Sequence, residues 1–405
     1  MGLEVHGGSA WRDGEGWWLP ISAQLFRRNE GRHHRRLRLC RRLLEWFVGT
    51  SDFSPAELRR YQERLRLIFR NVEISETGYR GRGLEARPAC GAVDAQGLGR
   101  LRRWRPLRNR TGQDGRSEAA LWLSDEELRG CGQHGSGEAV LEVRLADERT
   151  DDGPLGALRV AVPLVEESGL SVVSDIDDTV KHTEVFRGHG PMLRNTFLEE
   201  FVPVPGMAQL YRRLASERPG TTFHYVSKSP PEFRGPLSEF LRRDGFPETS
   251  MHLCQLLGND RATFKEARVR ELLLQYPGRK FVLVGDSGEL DAHVYATLAR
   301  AHPDQVVKIA IRQVSPAHPV DPEVFRGVPP EVWQVFSDPD EVSLPPAPPG
   351  PLDAFLRPAE GLSGQAWRDA HEVLLSGLRP FVVPLDLSAA ATELRRHMLA
   401  GAGRA

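Results

Sequence analysis

Ser174-Asp175-Ile176-Asp177-Asp178-Thr179 closes the apolar run Leu170–Ile176, so that a strand ends in two carboxylates spaced two residues apart. Alternation along extended backbone puts positions i and i+2 on one side, which lets Asp175 and Asp177 converge on one centre. Working outward, the runs Thr222–Val226, Lys280–Val284 and Val306–Ile311 read as three more strands. Helical stretches near Gly206–Ser216, Glu232–Arg243, Phe264–Gln275 and Leu290–Ala301 alternate with them. Strand and helix in alternation predict an α/β fold, a parallel sheet covered on both faces. Ligands of such sheets bind at the carboxyl ends of the strands. There, Ser227 follows the second strand, and Gly285-Asp286-Ser287-Gly288-Glu289-Leu290-Asp291 follows the third.

Two convergent carboxylates repel each other and suit a hard divalent cation such as Mg²⁺, which takes one or two carboxylates together with substrate phosphate oxygens. The competing reading is a polar turn after a buried strand. Lys265, one of only five lysines, stands near the start of the third helix. The order of carboxylate pair, hydroxyl, lysine and acidic loop resembles the haloacid-dehalogenase-type phosphatase superfamily. More closely, Ser-Asp-Ile-Asp-Asp-Thr-Val-Lys-His-Thr (174–183), Phe-His-Tyr-Val-Ser-Lys-Ser-Pro (223–230) and Phe-Val-Leu-Val-Gly-Asp-Ser-Gly-Glu-Leu-Asp (281–291) resemble the actin-patch-associated phosphatidate phosphatase family of fungi and many bacteria. The resemblance covers roughly 165–315 and implies a Rossmann-like haloacid-dehalogenase sheet with a minimal cap.

What the resemblance implies for chemistry agrees with the residue types. Asp175 is the expected nucleophile, forming an aspartyl-phosphate. Asp177 is the expected acid and then base, its pKa raised by Asp175 when no metal is bound. Mg²⁺ is expected on Asp175, Asp177 through its backbone carbonyl, and Asp286. Ser227 and Lys265 are expected to bind the remaining phosphoryl oxygens, with Lys228 and Arg268 as alternative cations. Thr179 supports the loop. Asp291 or Glu289 joins the metal's surroundings or serves as a helix N-terminal acid. His182 is either a proton shuttle or a residue that orients the turn.

The gaps between motifs, 48 positions from Thr179 to Ser227 and 38 from Ser227 to Lys265, leave no room for a separate lid domain. An open mouth suits a substrate presented by a large surface. Met192, Leu193, Phe197, Leu198 and Phe201 recur at helical spacing; they either dip into a lipid interface or pack against the fold. The expected function is a Mg²⁺-dependent phosphatidate phosphatase yielding diacylglycerol and phosphate. The alternatives are the same chemistry on another phospholipid monoester or a phosphoprotein, and a phosphatidate-binding module without catalysis. Binding alone does not require Asp177.

The rest of the 405 residues divides by pattern into an Arg-rich helical region (1–70), a β-rich accessory domain (71–165), the catalytic domain (166–315) and a Pro-rich segment with a final helix (316–405); within the last, 315–358 reads as an extended tail or linker with its Pro-rich run at 345–351, and 363–376 as the helix. Ser54-Pro55-Ala56-Glu57 is a capping box that opens a helix. The net charge of -1 hides an asymmetry: residues 1–120 hold 24 Arg, no Lys and 14 acids. Arg35, Arg36, Arg38, Arg41 and Arg42 suggest attraction to anionic lipid, a solvated helix flank or, last in rank, nucleic acid, because Trp46 and Phe47 read as core. The four cysteines have no CxxC pairing and are expected as reduced, incidental thiols. No apolar run reaches membrane-spanning length and no leader pattern opens the chain, so a cytoplasmic protein, peripheral on membranes at most, is expected.

Overall fold

The computed structural model describes residues 2–26, 34–50, 52–77, 81–90, 103–112, 115–133, 135, 137–146, 156–255 and 261–343. The side chains of Arg35, Arg36 and Arg38, the Pro-rich run at 345–351 and the helix expected over 363–376 lie outside the described residues.

In chain order the strands are β1 (Gly2–Gly7), β2 (Trp11–Asp13), β3 (Gly16–Phe26), β4 (Leu84–Pro88), β5 (Arg105–Pro106), β6 (Arg116–Ser124), β7 (Glu138–Leu145) and β8 (Leu158–Pro163), then β9 (Gly169–Ser174), β10 (Thr222–Ser227), β11 (Ser250–Leu253), β12 (Arg279–Asp286), β13 (Val306–Arg312) and β14 (Trp333–Phe336). The helices are α1 (His34–Val48), α2 (Pro55–Thr77), α3 (Asp125–Gly130), α4 (His189–Leu193), α5 (Met207–Glu217), α6 (Arg234–Arg243), α7 (Phe264–Gln275) and α8 (Asp291–Ala301).

The last six strands form one parallel sheet in the order β11-β10-β9-β12-β13-β14. Each central strand is buried on both faces, which is why these segments read as nearly unbroken apolar runs. On β9, Val172 joins a core with Met207, Leu210 and Tyr211 of α5 and Leu237 and Phe240 of α6. Val173 faces the opposite core, built from Val269 and Leu273 of α7 and Tyr295 and Leu298 of α8.

The preceding strands form two four-stranded antiparallel sheets, with β3 pairing β1, β2 and β6 in one and β5-β4-β7-β8 in the other. Leu19, Ile21, Leu121, Leu141, Val143 and Val162 of both sheets share one core. The pairing of β3 with β6 crosses the boundary drawn at residue 70, so residues 2–26 are structurally part of the β-rich unit.

Helix α2 begins with the expected box: Ser54 N–H donates to Glu57 Oε2 at 2.7 Å, and Glu57 N–H donates to Ser54 Oγ at 3.2 Å. Helices α1 and α2 do not stand apart. Leu44, Tyr61 and Leu65 pack with Leu193, Phe197 and Leu198 from the segment after β9. Arg64 donates to the carbonyls of Thr196 (2.9 Å) and Glu199 (2.7 Å). The apolar stripe at 192–201 is therefore a packing face, and the idea that it enters a lipid interface fails.

Three further expectations are corrected. Residues 316–343 are not a linker. Phe325, Val328, Phe336 and Val342 are buried, and β14 adds a sixth strand to the sheet. Trp46 and Phe47 are exposed, because α1 turns its Leu44 side inward instead. Cys90 and Cys131 form a disulfide. The ends of β4 and α3 lie side by side there, joined also by Gln133, whose side-chain amide donates to the Ala89 and Val140 carbonyls. No helix among the described residues is long and apolar enough to cross a membrane.

Candidate active site

Registers Ser174↔Tyr225 and Ser174↔Val284 bring the carboxyl ends of β10, β9 and β12 into line. Asp175 begins just past β9, held by its N–H donating to Val284 O at 2.9 Å. Its carboxylate is buried, accepting from Lys265 Nζ at 2.9 Å and from Thr179 Oγ1 at 3.2 Å. Thr179 thus supports the loop by contact with Asp175 itself.

Lys265 stands in the first turn of α7, buried, and also donates to Asp291 and lies 3.7 Å from Glu289. Neither alternative cation pairs with Asp175, although Lys228 shares the Glu289 oxygen that Lys265 approaches. Lys228 pairs with Glu289 at 3.3 Å, and Arg268 faces Glu271 (2.9 Å) and Glu118 (3.8 Å). Burial opposes the Lys265 charge, but Asp175 and Asp291 overcome it and hold the ammonium well above its ordinary pKa.

Asp286, at the end of β12, accepts from the N–H groups of Gly288 (2.6 Å) and Glu289 (3.2 Å) through Oδ1. Its Oδ2 is buried with no partner. Asp175, Asp286 and Asp291 can each direct one oxygen to a common point, with the three atoms within 4.8 Å of one another. Gly285 makes room for this, since a Cβ there would overlap the Asp291 carboxylate. Burial and the neighbouring carboxylates push Asp175 and Asp286 well above the carboxylate range; for Asp175 the Lys265 charge opposes this. Three buried carboxylates facing one ammonium carry surplus negative charge, and an unpartnered oxygen is aimed among them. These residues fit a hard divalent cation.

The carboxylate of Asp177 is not in that cluster. Its Oδ1 accepts from Lys181 Nζ (2.8 Å) and Thr183 Oγ1 (2.7 Å). Its Oδ2 accepts from Ser229 Oγ (2.8 Å) and Ser227 Oγ (3.2 Å). Burial favours the neutral acid, but Lys181 and the hydroxyl donors outweigh it and bring the pKa down to about 2. The expected elevation by Asp175 is overturned, because the nearest charge is a cation four residues along the chain.

Asp178 adopts a left-handed backbone (φ 59°). This strained conformation is held by its carboxylate, which accepts from the N–H groups of Thr183 (2.9 Å), Glu184 (2.6 Å) and Val185 (2.6 Å). The His182 backbone N–H donates to Val202 O, and among the described residues no hydrogen bond joins its ring to the carboxylates. Lys181, Thr183 and Ser229 were not singled out from the sequence. The Asp177–Lys181 spacing of four, inside a stretch already chosen for its acids, was the available signal for one of them.

Comparison with known proteins reaches the same part of the chain. The family model described as "Phosphatidate phosphatase APP1, catalytic domain" matches residues 170–313. An uncharacterized protein of Schizosaccharomyces pombe is 31% identical over 183 residues, covering 43% of this chain and 30% of that protein. Phosphatidate phosphatase APP1 of Saccharomyces cerevisiae is 34% identical over 179 residues, covering 40% of this chain and 30% of its own length. The chain thus spans about a third of the length of these relatives. A solved flavin-binding domain of a Vibrio cholerae nitric oxide dioxygenase aligns with a TM-score of 0.17 and 12% identity, too distant to bear on the fold.

Proposed function

We propose, from the premise that residues 170–313 belong to the APP1 catalytic-domain family, that this chain is a phosphatidate phosphatase that works through an aspartyl-phosphate. The observation that carries the reading is the convergence of Asp175, Asp286 and Asp291 around buried Lys265 at the carboxyl end of the parallel sheet. The fold assignment that goes with it is a haloacid-dehalogenase-like sheet, with only the short helical segment after β9 standing in the place of a cap.

In the first half-reaction an Asp175 carboxylate oxygen attacks phosphorus, the bond from phosphorus to the glycerol oxygen breaks, and Asp177 supplies the proton that the leaving oxygen takes up. In the second, water attacks the phosphorylated Asp175, Asp177 takes the water's proton, and phosphate leaves with the Asp175 carboxylate restored. Lys265 orients Asp175 and offers positive charge to the phosphoryl group, and Ser227 presents a hydroxyl from the adjacent strand end. Asp177 is poised as a base while Lys181 holds it; the acid step requires that pairing to loosen as a phosphate dianion enters and raises its pKa. Asp175, Asp286, Asp291 and the Asp177 carbonyl are the groups that would hold Mg²⁺, which when bound neutralises charge on the phosphoryl oxygens.

The test is phosphate release from phosphatidate in mixed micelles against soluble phosphomonoesters, with Mg²⁺ and with EDTA. Preference for phosphatidate and loss of turnover in EDTA are expected; equal preference for soluble esters would remove the lipid assignment. Asp175→Asn should lower turnover by about 10³-fold or more without lowering the thermal midpoint, because it removes one of three mutually repelling carboxylates. Retained activity would refute the covalent route.

A further inference from the structure

Leu43, Trp46 and Phe47 lie at i, i+3 and i+4 on α1 and are 51%, 74% and 40% exposed. The neighbouring side of the helix is satisfied: Leu44 is buried among Tyr61, Leu65 and Leu198. Trp46 and Phe47 meet edge to face at 4.6 Å, so the exposed side chains form one ridge. Arg42, exposed, lies one helical turn before Trp46, while Arg41 is ion-paired with Glu45 at 2.8 Å. An exposed aromatic and aliphatic ridge flanked by an arginine has the composition of an interfacial element, with rings at the headgroup level and a cation toward anionic lipid.

The ridge is joined to the active site through packed structure. Phe47 contacts His189 edge to face at 6.0 Å, and Gly190 approaches the Phe47 carbonyl too closely for any larger residue. From α4 the connection returns through Asn195, whose Nδ2 donates to Thr183 O at 3.1 Å, and Thr183 Oγ1 donates to Asp177. A surface touching the ridge is therefore held in a set relation to the strand end that carries Asp175.

We propose that the Leu43–Trp46–Phe47 ridge, with Arg42, docks the protein on an anionic lipid bilayer. That docking would present the active site to a lipid headgroup rests on the function proposed above; the binding itself does not. The apolar stripe at 192–201 cannot serve this purpose, since α1 and α2 cover it.

The experiment is co-sedimentation of the full chain with phosphatidylcholine vesicles, with and without phosphatidylserine, so that binding is read without substrate. Wild type should bind the anionic vesicles more strongly and release them as salt rises. Leu43→Ser/Trp46→Ser should weaken binding by about tenfold or more, and Trp46→Phe, which keeps an interfacial ring, should retain most of it. Both changes are on the surface, and unchanged thermal melting and unchanged turnover of a soluble phosphomonoester confirm an intact fold. Wild-type binding by the double variant would overturn the proposal even if phosphatidate hydrolysis is established. So would a wild-type dimer, seen by sedimentation, that the double variant abolishes while vesicle binding persists. Weakened vesicle binding in a protein that does not hydrolyse phosphatidate would uphold the docking surface and refute the proposed function instead.

Discussion

Asp177 illustrates how one partner reverses an expectation built on another. The repulsion between Asp175 and Asp177 is visible in the linear sequence, but Lys181, Thr183, Ser227 and Ser229 together surround the second carboxylate. With a pKa held near 2 against an ordinary unfolded value of about 3.9, the ionised group adds stability. That stability is complete above the unfolded pKa and is lost as pH falls toward 2. Removing Lys181 alone leaves a mostly buried charge without its cation, so Lys181→Met should cost about 3–5 kcal/mol. Combining it with Asp177→Asn should recover much of that loss. Urea unfolding of both single variants and the double variant should give a coupling energy above about 1 kcal/mol; strict additivity would mean that the pair contributes nothing to the fold.

At the scale of elements, periodicity located helices and strands well but did not say which neighbour each would meet. The spacing in α1 was legible, yet it placed Trp46 and Phe47 in the core when the docking partner, the segment after β9, selects the Leu44 side. Residues 316–343 were illegible for a different reason. Short 3₁₀ turns at Pro322–Phe325, Pro330–Val332 and Pro339–Glu341 have no sustained period, and four-residue β14 is a strand because the edge of β13 receives it. Phe325 stacks on Trp333 with ring centroids 4.4 Å apart and lies in the core of the α7–α8 face. Phe325→Ala should cost about 3–5 kcal/mol in urea unfolding; a cost below about 1 kcal/mol would restore the view of this segment as a tether.

At the scale of the molecule, the antiparallel sheets and the parallel sheet meet at a polar seam. Tyr276 Oη donates to the Ser9 carbonyl at 3.0 Å, and His224 Nδ1 is hydrogen-bonded with Ser250 Oγ at 2.8 Å and lies 3.3 Å from Ser9 Oγ. Burial, reinforced by Arg279, lowers His224 to about 3. Burial and Arg234 outweigh Glu4 to bring His6 to about 4, and burial also lowers His252 well below its usual value. The unfolded chain takes up these protons near pH 6.5 and the folded chain does not, so stability is full above that pH. It should decline as pH falls from about 6.5 toward 4, each group contributing about 1.4 kcal/mol per pH unit. Asp175 and Asp286, held above the carboxylate range, act in the opposite sense over this window, so the check is a difference: the thermal midpoint should fall less in His224→Gln than in wild type between pH 6.5 and 4, and parallel profiles would contradict the seam's role.

Short-range pattern was sufficient for the alternating strands and helices of the parallel sheet, the strand-end positions of Asp175, Ser227 and Asp286, and the capping box of α2. These are properties of residues close together in the chain, where backbone period and strand-end placement are local. Long-range packing was needed to settle that Lys265, rather than Lys228 or Arg268, reaches Asp175. It alone set Lys181 against Asp177, paired Cys90 with Cys131, and packed the N-terminal helices on the segment beside the active site. Those outcomes depend on strand register, on the crossovers that bring distant helices together, and on which of several candidate charges burial leaves facing one another.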